Sequence, residues 1–175
     1  MQKSLILCLL SISLLFAACA DPLSNQPLGQ LSEVGVEPGK PAPNFFLPDQ
    51  FGKTVRLSDY SGKVVYLDFW ASWCDPCRAL LPDTKDVWDQ YRDKDFVVIG
   101  VSLDYTTNAW KKFIADQNLD WVQTFDDGKS VGSAVALYTV RAIPQSYLIG
   151  KDGVVIGQDL YGSTLRDSLD VYVNK

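Results

Sequence analysis

The sequence predicts an α/β sandwich, a mixed central sheet flanked by helices, and three observations carry that expectation. Two runs, 64–70 and 96–103, are almost wholly apolar and rich in β-branched and aromatic residues, the pattern of strands buried on both faces. Between and after them lie segments with apolar residues at helical spacing. Gly-containing turns at 49–52 and 151–153 each join two short runs, which reads as a hairpin near either end of the folded region.

Taken in order, the folded sequence begins near Gly39. Phe45-Phe46-Leu47 and Thr54-Val55-Arg56-Leu57 form the first hairpin, and Ser58–Gly62 is a turn. The buried strand 63–70 leads into Trp70-Ala71-Ser72-Trp73-Cys74-Asp75-Pro76-Cys77 and a helix to about Arg92. That helix buries Leu80, Leu81, Val87, Trp88 and Tyr91, and Pro82 interrupts and kinks it. After the strand 96–103, Asn108 caps a helix to Gln117 with Trp110, Phe113 and Ile114 inward. Trp121–Phe125 is a short strand and Ser130–Tyr138 a helix. Gln145–Ile149 pairs across the 151–153 turn with Val154–Ile156 as an antiparallel hairpin. Ser163 or Thr164 opens a last helix carrying Leu165, Leu169 and Tyr172.

The chemistry concentrates at Cys74 and Cys77. Two thiols three positions apart can close a disulfide ring and reopen it, and the start of a helix offers unpaired N–H groups that favour a thiolate at the first of them. Strand, short turn, Cys-x-x-Cys, helix is the redox arrangement of this motif. As a passive staple the pair would do little, because so short a loop barely constrains the unfolded chain. A zinc site needs four ligands, and two thiols in a chain without histidine are too few. Asp68 stands late in an apolar strand, a costly place for a carboxylate. It reads either as a base for Cys77 with a pKa raised by burial, or as a solvent-facing acid at the strand end.

Composition narrows the functional classes. Hydrophobic residues make up 47% and charged residues 21% of the chain, ordinary for a globular protein. A net charge of −5 with no Lys/Arg cluster argues against nucleic acid as a partner. The absence of histidine removes His-assisted nucleophilic catalysis and His-based pH switching.

The N-terminus reads as a targeting unit. Lys3 precedes an apolar stretch, Leu5–Ala18, that is shorter than a bilayer span. Leu15-Phe16-Ala17-Ala18-Cys19 resembles a bacterial lipoprotein signal cut before a Cys19 that carries lipid, with Phe16 where a smaller aliphatic residue is usual. Ordinary cleavage after Ala20 and an uncleaved anchor are the rivals. The lipoprotein reading divides the chain into a signal peptide at 1–18, a lipid-anchor cysteine and flexible tether at 19–38, and a folded domain at 39–175. About 18 flexible residues reach ~23 Å, enough to hold a domain clear of lipid headgroups. A strand at Leu31–Val36 packed on the domain is the alternative to a free tether. Lipidation and ordinary secretion both place the domain outside the cytoplasm, where disulfides persist.

With these elements placed, residues 39–175 resemble the thioredoxin superfamily, and within it the TlpA/ResA branch of membrane-tethered, extracytoplasmic thiol–disulfide oxidoreductases. The resemblance rests on Gly39-Lys40-Pro41-Ala42-Pro43-Asn44-Phe45, Leu57-Ser58-Asp59 ahead of Gly62-Lys63, the Trp-Ala-Ser-Trp-Cys-x-x-Cys core, Pro82, and Ile143-Pro144 before a strand and an Asp-Gly turn. It implies a thioredoxin-like sandwich with an N-terminal hairpin and a helix–strand insertion between Asp104 and Phe125. It implies that Cys74 is the attacking, more exposed thiol and Cys77 the resolving thiol, with Asp68 taking the Cys77 proton. Pro144 is expected cis, with Ile143 offering backbone groups to an extended client and Trp73 forming part of an apolar docking rim. No cofactor is implied. The partners implied are protein disulfide or dithiol clients, apocytochrome c among them, an upstream membrane electron donor, and the membrane of the bacterial cell envelope.

Three departures stand out. Asp68 occupies a place where the branch commonly has Asn, Gln145 one where Thr or Ser is common, and no lysine lies on the 97–103 strand. Asp75, between the cysteines, is expected to disfavour charge on Cys74 and so make the couple more reducing. The competing functions are a thiol peroxidase, for which the Thr and Pro expected just before the cysteine are missing, a client-binding or metallochaperone module, and an oxidant or isomerase using the same dithiol.

Overall fold

The computed structural model describes residues 33–174. The expected signal peptide at 1–18, Cys19, and the tether as far as residue 32 lie outside the described residues.

Along the described chain come β1 (Phe46–Pro48), β2 (Thr54–Arg56), a 3-10 turn (Leu57–Tyr60), β3 (Val64–Trp70), α1 (Asp75–Tyr91) and β4 (Phe96–Ser102). They are followed by α2 (Thr107–Gln117), β5 (Val122–Phe125), α3 (Ala134–Leu137), β6 (Gln145–Ile149), β7 (Val155–Gln158) and α4 (Gly162–Tyr172). The main sheet has the order β5-β4-β3-β6-β7, and β1 and β2 form a separate hairpin. β3 runs parallel to β4, β4 parallel to β5, and β6 antiparallel to both β3 and β7. This is the expected thioredoxin-like sandwich with a mixed sheet.

The period of two explains how the apolar runs are used. Val64, Tyr66 and Trp70 of β3 face the same side as Phe96 and Val98 of β4, under Val87 and Tyr91 of α1, Trp110 of α2 and Leu165 and Leu169 of α4. Val65, Leu67 and Phe69 face the other side with Val97, Ile99 and Val101, covered by Phe45, Leu47 and Val55 of the hairpin region and by Ala134 and Tyr138. Full burial of each such aliphatic or aromatic side chain contributes about 1.5–3 kcal/mol, so both faces hold the sheet. Asp68 falls on the helix-covered face, between Tyr66 and Trp70.

Residues 39–49 pass from one edge of the sheet to the other. On the β7 edge, Gly39 N–H donates to the Val155 carbonyl and Val155 N–H to that of Lys40, both at 2.9 Å. On the β5 edge, Asp49 makes an antiparallel bridge to Thr124. The described part of the expected tether, 33–38, lies against the domain: Gly35 N–H donates to the Pro41 carbonyl, and the Gln158 side chain donates to that of Val36.

Several boundaries differ from expectation. The turn after β2 is a 3-10 helix, because the Asp59 carboxylate accepts the Arg56 N–H and winds the chain. α1 continues through Pro82, which is exposed, so the carbonyl that loses its partner faces solvent. Thr106 rather than Asn108 caps α2, its extended backbone letting Oγ1 accept the Ala109 N–H at 3.2 Å. α3 is shorter than 130–138 because Asp127 accepts the N–H groups of Lys129 and Ser130 and holds that stretch as a loop. α4 starts at Gly162, and buried Val173 rather than Tyr172, which is 40% exposed, faces inward at its end. β7 spans Val155–Gln158, not Val154–Ile156.

Candidate active site

β3 ends at Trp70, and a turn closed by Cys74 N–H on the Ala71 carbonyl delivers Cys74 to the N-cap of α1. There the sulfur does what Ser, Thr, Asp or Asn usually does at an N-cap: Cys74 Sγ accepts the Cys77 N–H at 3.2 Å. Pro76 sits in the first turn, where its missing N–H costs nothing. The spacing of the motif is thus the spacing of N-cap to third helical residue. Cys74 and Cys77 are joined by a disulfide, S–S 2.01 Å, with Cα atoms 5.3 Å apart.

The expectation that Cys74 is the more exposed thiol does not hold in this oxidised form. Cys74 is 4% exposed and Cys77 9%. Cys74 Sγ is turned back toward the helix by its bond to the Cys77 N–H, whereas Cys77 borders a cavity.

That cavity measures about 20 Å³, room for a single water, and is lined by Asp68, Trp70, Cys77, Arg78, Phe113 and Gln123 among others. Asp68 lines this small space and is half-buried there. Burial pushes that carboxyl from 3.8 up to about 7. A carboxyl poised there can take and return a proton in the neutral range.

On the solvent side a second carboxylate organises the loops. Asp104 is buried and accepts from Ser72 Oγ at 2.5 Å, from the Ser72 N–H at 3.2 Å and from Ser102 Oγ at 2.8 Å. It ties the loop after β3 to the loop after β4, one residue before an aromatic on each. Those aromatics, Trp73 and Tyr105, stack with ring centroids 5.4 Å apart and planes 12° apart. Trp73 is 48% exposed and Tyr105 84%. Trp70, by contrast, is core and packs on Phe113. Neither Asp104 nor Tyr105 stands out in the sequence. The one signal there is a pair of serines, Ser72 and Ser102, at the ends of two apolar strands beside an acid.

The Ile143–Pro144 peptide is cis. Gln145, the next residue, pairs with Phe69, so the register places the cis peptide at the end of the sheet from which β3 passes into the cysteine loop. Ile143 is half-buried between the two halves of the core. Asp75 is exposed and pairs with Arg78 at 3.2 Å. The structure therefore gathers Cys74, Cys77, Asp68 and Trp73 around one loop and helix start, with Ile143 and Pro144 at the same end of the sheet.

Comparison with known proteins agrees with this geometry. Residues 38–158 match the AhpC/TSA family. The chain is 36% identical over 143 residues to the thiol-disulfide oxidoreductase ResA of Bacillus thuringiensis subsp. konkukian, covering 82% of this chain and 80% of that protein. It is 28% identical to ResA of Bacillus subtilis, over 79% of this chain and 75% of the relative. A thiol:disulfide interchange protein DsbE structure from Chlorobium tepidum superimposes with a TM-score of 0.68 at 37% identity, covering 78% of this chain and 95% of that one. The thioredoxin domain of a Bacteroides vulgatus thiol-disulfide oxidoreductase superimposes with a TM-score of 0.74 at 29% identity, over 80% and 100%. A disulfide spanning N-cap and first turn on a thioredoxin-like sheet, in a chain with these relatives, places the protein in the AhpC/TSA family as a ResA-type thiol–disulfide oxidoreductase.

Proposed function

We propose that this enzyme is a membrane-tethered, extracytoplasmic reductant of protein disulfides, with Cys74 as nucleophile, Cys77 as resolving thiol and Asp68 as the base that serves Cys77. The observation that carries the reading is Asp68, half-buried beside Cys77 in a small cavity, with its carboxyl pushed up to about 7. In the reductive half-reaction the Cys74 thiolate attacks one client sulfur, forming a mixed disulfide and expelling the other sulfur as a thiolate. Cys77 gives its proton to Asp68 and attacks Cys74 Sγ. The Cys74–Cys77 bond forms as the Cys74–client bond breaks, and the electron pair leaves with the client sulfur. The client disulfide gains two electrons, and the enzyme's dithiol loses them.

Trp73 lies at the rim where a client arrives, and the backbone of Ile143 beside the cis Pro144 offers it an edge. Removal of 1–18 and lipid on Cys19 would tether the domain to a bacterial envelope membrane, with the connecting segment ending before 33–38, which lie against the domain. A membrane donor of electrons then restores the dithiol, and apocytochrome c is the client class that the family resemblance suggests. Among the described residues no helix is long and apolar enough to cross a membrane.

Expression of Cys77→Ser in the native host tests this reading. Client protein should accumulate on Cys74 as a reducible adduct in the membrane fraction, and labelling with a palmitate analogue should depend on Cys19. Absence of any adduct, or adducts that persist in Cys74→Ser, would remove the proposed chemistry.

A further inference from the structure

Register places three residues in one row across the sheet. Asp68 on β3 lies opposite Gly100 on β4, and Gly100 lies opposite Gln123 on β5. Gly100 brings no side chain to the row, and that gap is where the Gln123 carboxamide rests. A Cβ on Gly100 would come within 2.5 Å of Gln123 Oε1 and 2.9 Å of Trp70 Nε1. Gln123 is 1% exposed, and neither Nε2 nor Oε1 makes a hydrogen bond within the described chain. A buried amide without a partner is costly, and a core has no use for one that an apolar side chain could replace. Gln123 also lines the cavity that Asp68 and Cys77 share, large enough for one water and polar enough to hold it.

We propose that Gln123 is a positioning residue for the resolving step: its carboxamide, seated against bare Gly100, holds one water between itself, the Asp68 carboxylate and Cys77 Sγ. The Cys77 proton passes to that water as the water gives one to Asp68, and the Cys77 thiolate is then free to attack Cys74. This deepens the assignment of Asp68 as base and rests on it. The titratable neighbours are few. α1 presents Cys77 and Arg78 to the cavity, β3 itself carries Tyr66, and Tyr161 at the start of α4 also interacts with Asp68. Gly100, Phe113, Leu119 and Trp121 bring no charge to the cavity or its floor. Arg78 is engaged outward by Asp75. The setting of Asp68 is thus left to burial and to the polar contact that Gln123 organises.

The test uses the full chain carrying Cys8→Ser and Cys19→Ser, so that Cys74 and Cys77 are its only thiols. The reduced protein is mixed with 5,5′-dithiobis(2-nitrobenzoate) in a stopped-flow instrument across the neutral pH range. Attack by Cys74 releases one thionitrobenzoate, and displacement by Cys77 releases the second. Gln123→Leu is expected to leave the first phase unchanged and to slow the second roughly tenfold, the loss of one hydrogen bond to a charged group. The midpoint of the second phase should rise by about one pH unit, because a carboxylate deprived of its water is harder to ionise. The thermal midpoint should not fall, since an unpaired amide has been replaced by an apolar side chain. Gly100→Ala, which crowds the carboxamide off its seat without removing it, should shift the second phase the same way and serves if Gln123→Leu folds poorly. If the variants' second phase superimposes on the unsubstituted protein while Asp68→Asn slows it, Gln123 only packs and Asp68 stands. If Asp68→Asn superimposes as well, the base assignment itself has failed.

Discussion

The two sides of the Cys74–Cys77 bond are built from opposite materials. Toward solvent lie Trp73 and Tyr105, stacked and open, and the exposed Asp75–Arg78 pair. Toward the interior lie Asp68 and Gln123, lining a cavity with room for about one water, with Gly100 between them on the sheet. Charges on the outer side are screened and cheap to change, whereas the single carboxyl on the inner side is moved from 3.8 to about 7 by its surroundings. On the proposed reading, encounter with a client and management of the proton would be physically separated by the thickness of one disulfide. Substitutions on the two sides should therefore fail in different ways.

The largest effect belongs to the interior. Asp68→Asn should slow the resolving step by about 10²-fold, the ordinary worth of a general base, while mixed-disulfide formation is unaffected; rapid-quench separation of the two steps checks it. Its stability signature has a definite sign. The folded carboxyl keeps its proton up to about 7, whereas the unfolded one loses it near 3.8. Stability linked to that proton is complete below the unfolded value and is lost as pH rises through 7. Urea titrations should show Asp68→Asn matching the parent near pH 4 and exceeding it above pH 8 by a few kcal/mol, because each tenfold change in the acid constant is worth about 1.4 kcal/mol.

Asp104→Ala comes next and cuts across the comparison, because this buried carboxylate supports the outer side from within. It strands the hydroxyls of Ser72 and Ser102 and should cost about 2–3 kcal/mol in denaturant unfolding, with Trp73 fluorescence losing its stacked environment. On the outer side, Tyr105→Ala should raise KM for a protein client several-fold, about 1 kcal/mol of aromatic contact, with kcat unchanged. The smallest effect is Asp75→Asn: an exposed, paired charge should move the reduction potential by on the order of 10 mV in a glutathione series. A change several times larger would mean that the outer charges tune the thiols after all.

Residues whose meaning is local are legible in the sequence. Cys74 and Cys77 announce themselves by spacing, and Asp68 by being the one acid inside an apolar strand. The cis peptide at Ile143–Pro144 rests on family resemblance, since nothing in the dipeptide itself forces the isomer. Gln123 and Gly100 are not legible, because their relation to Asp68 exists only through sheet register across three strands far apart in sequence. Asp104 escapes notice for a similar reason: its partners lie on the neighbouring loop, 32 residues away in the case of Ser72. Helix starts differ from expectation where Thr106 and Asp127 win the contest for backbone N–H groups over equally plausible neighbours.

The strand-like passage at 39–49 borders β7 on one flank and β5 on the other, so it acts as a selvedge for the sheet. An open sheet rim presents unpaired N–H and C=O groups that extended segments of other chains can join. The domain's own N-terminal stretch already occupies those flanks at Val155 and at Thr124. The domain thus blunts part of both sheet edges with its own backbone, a device that discourages edge-to-edge pairing with other chains.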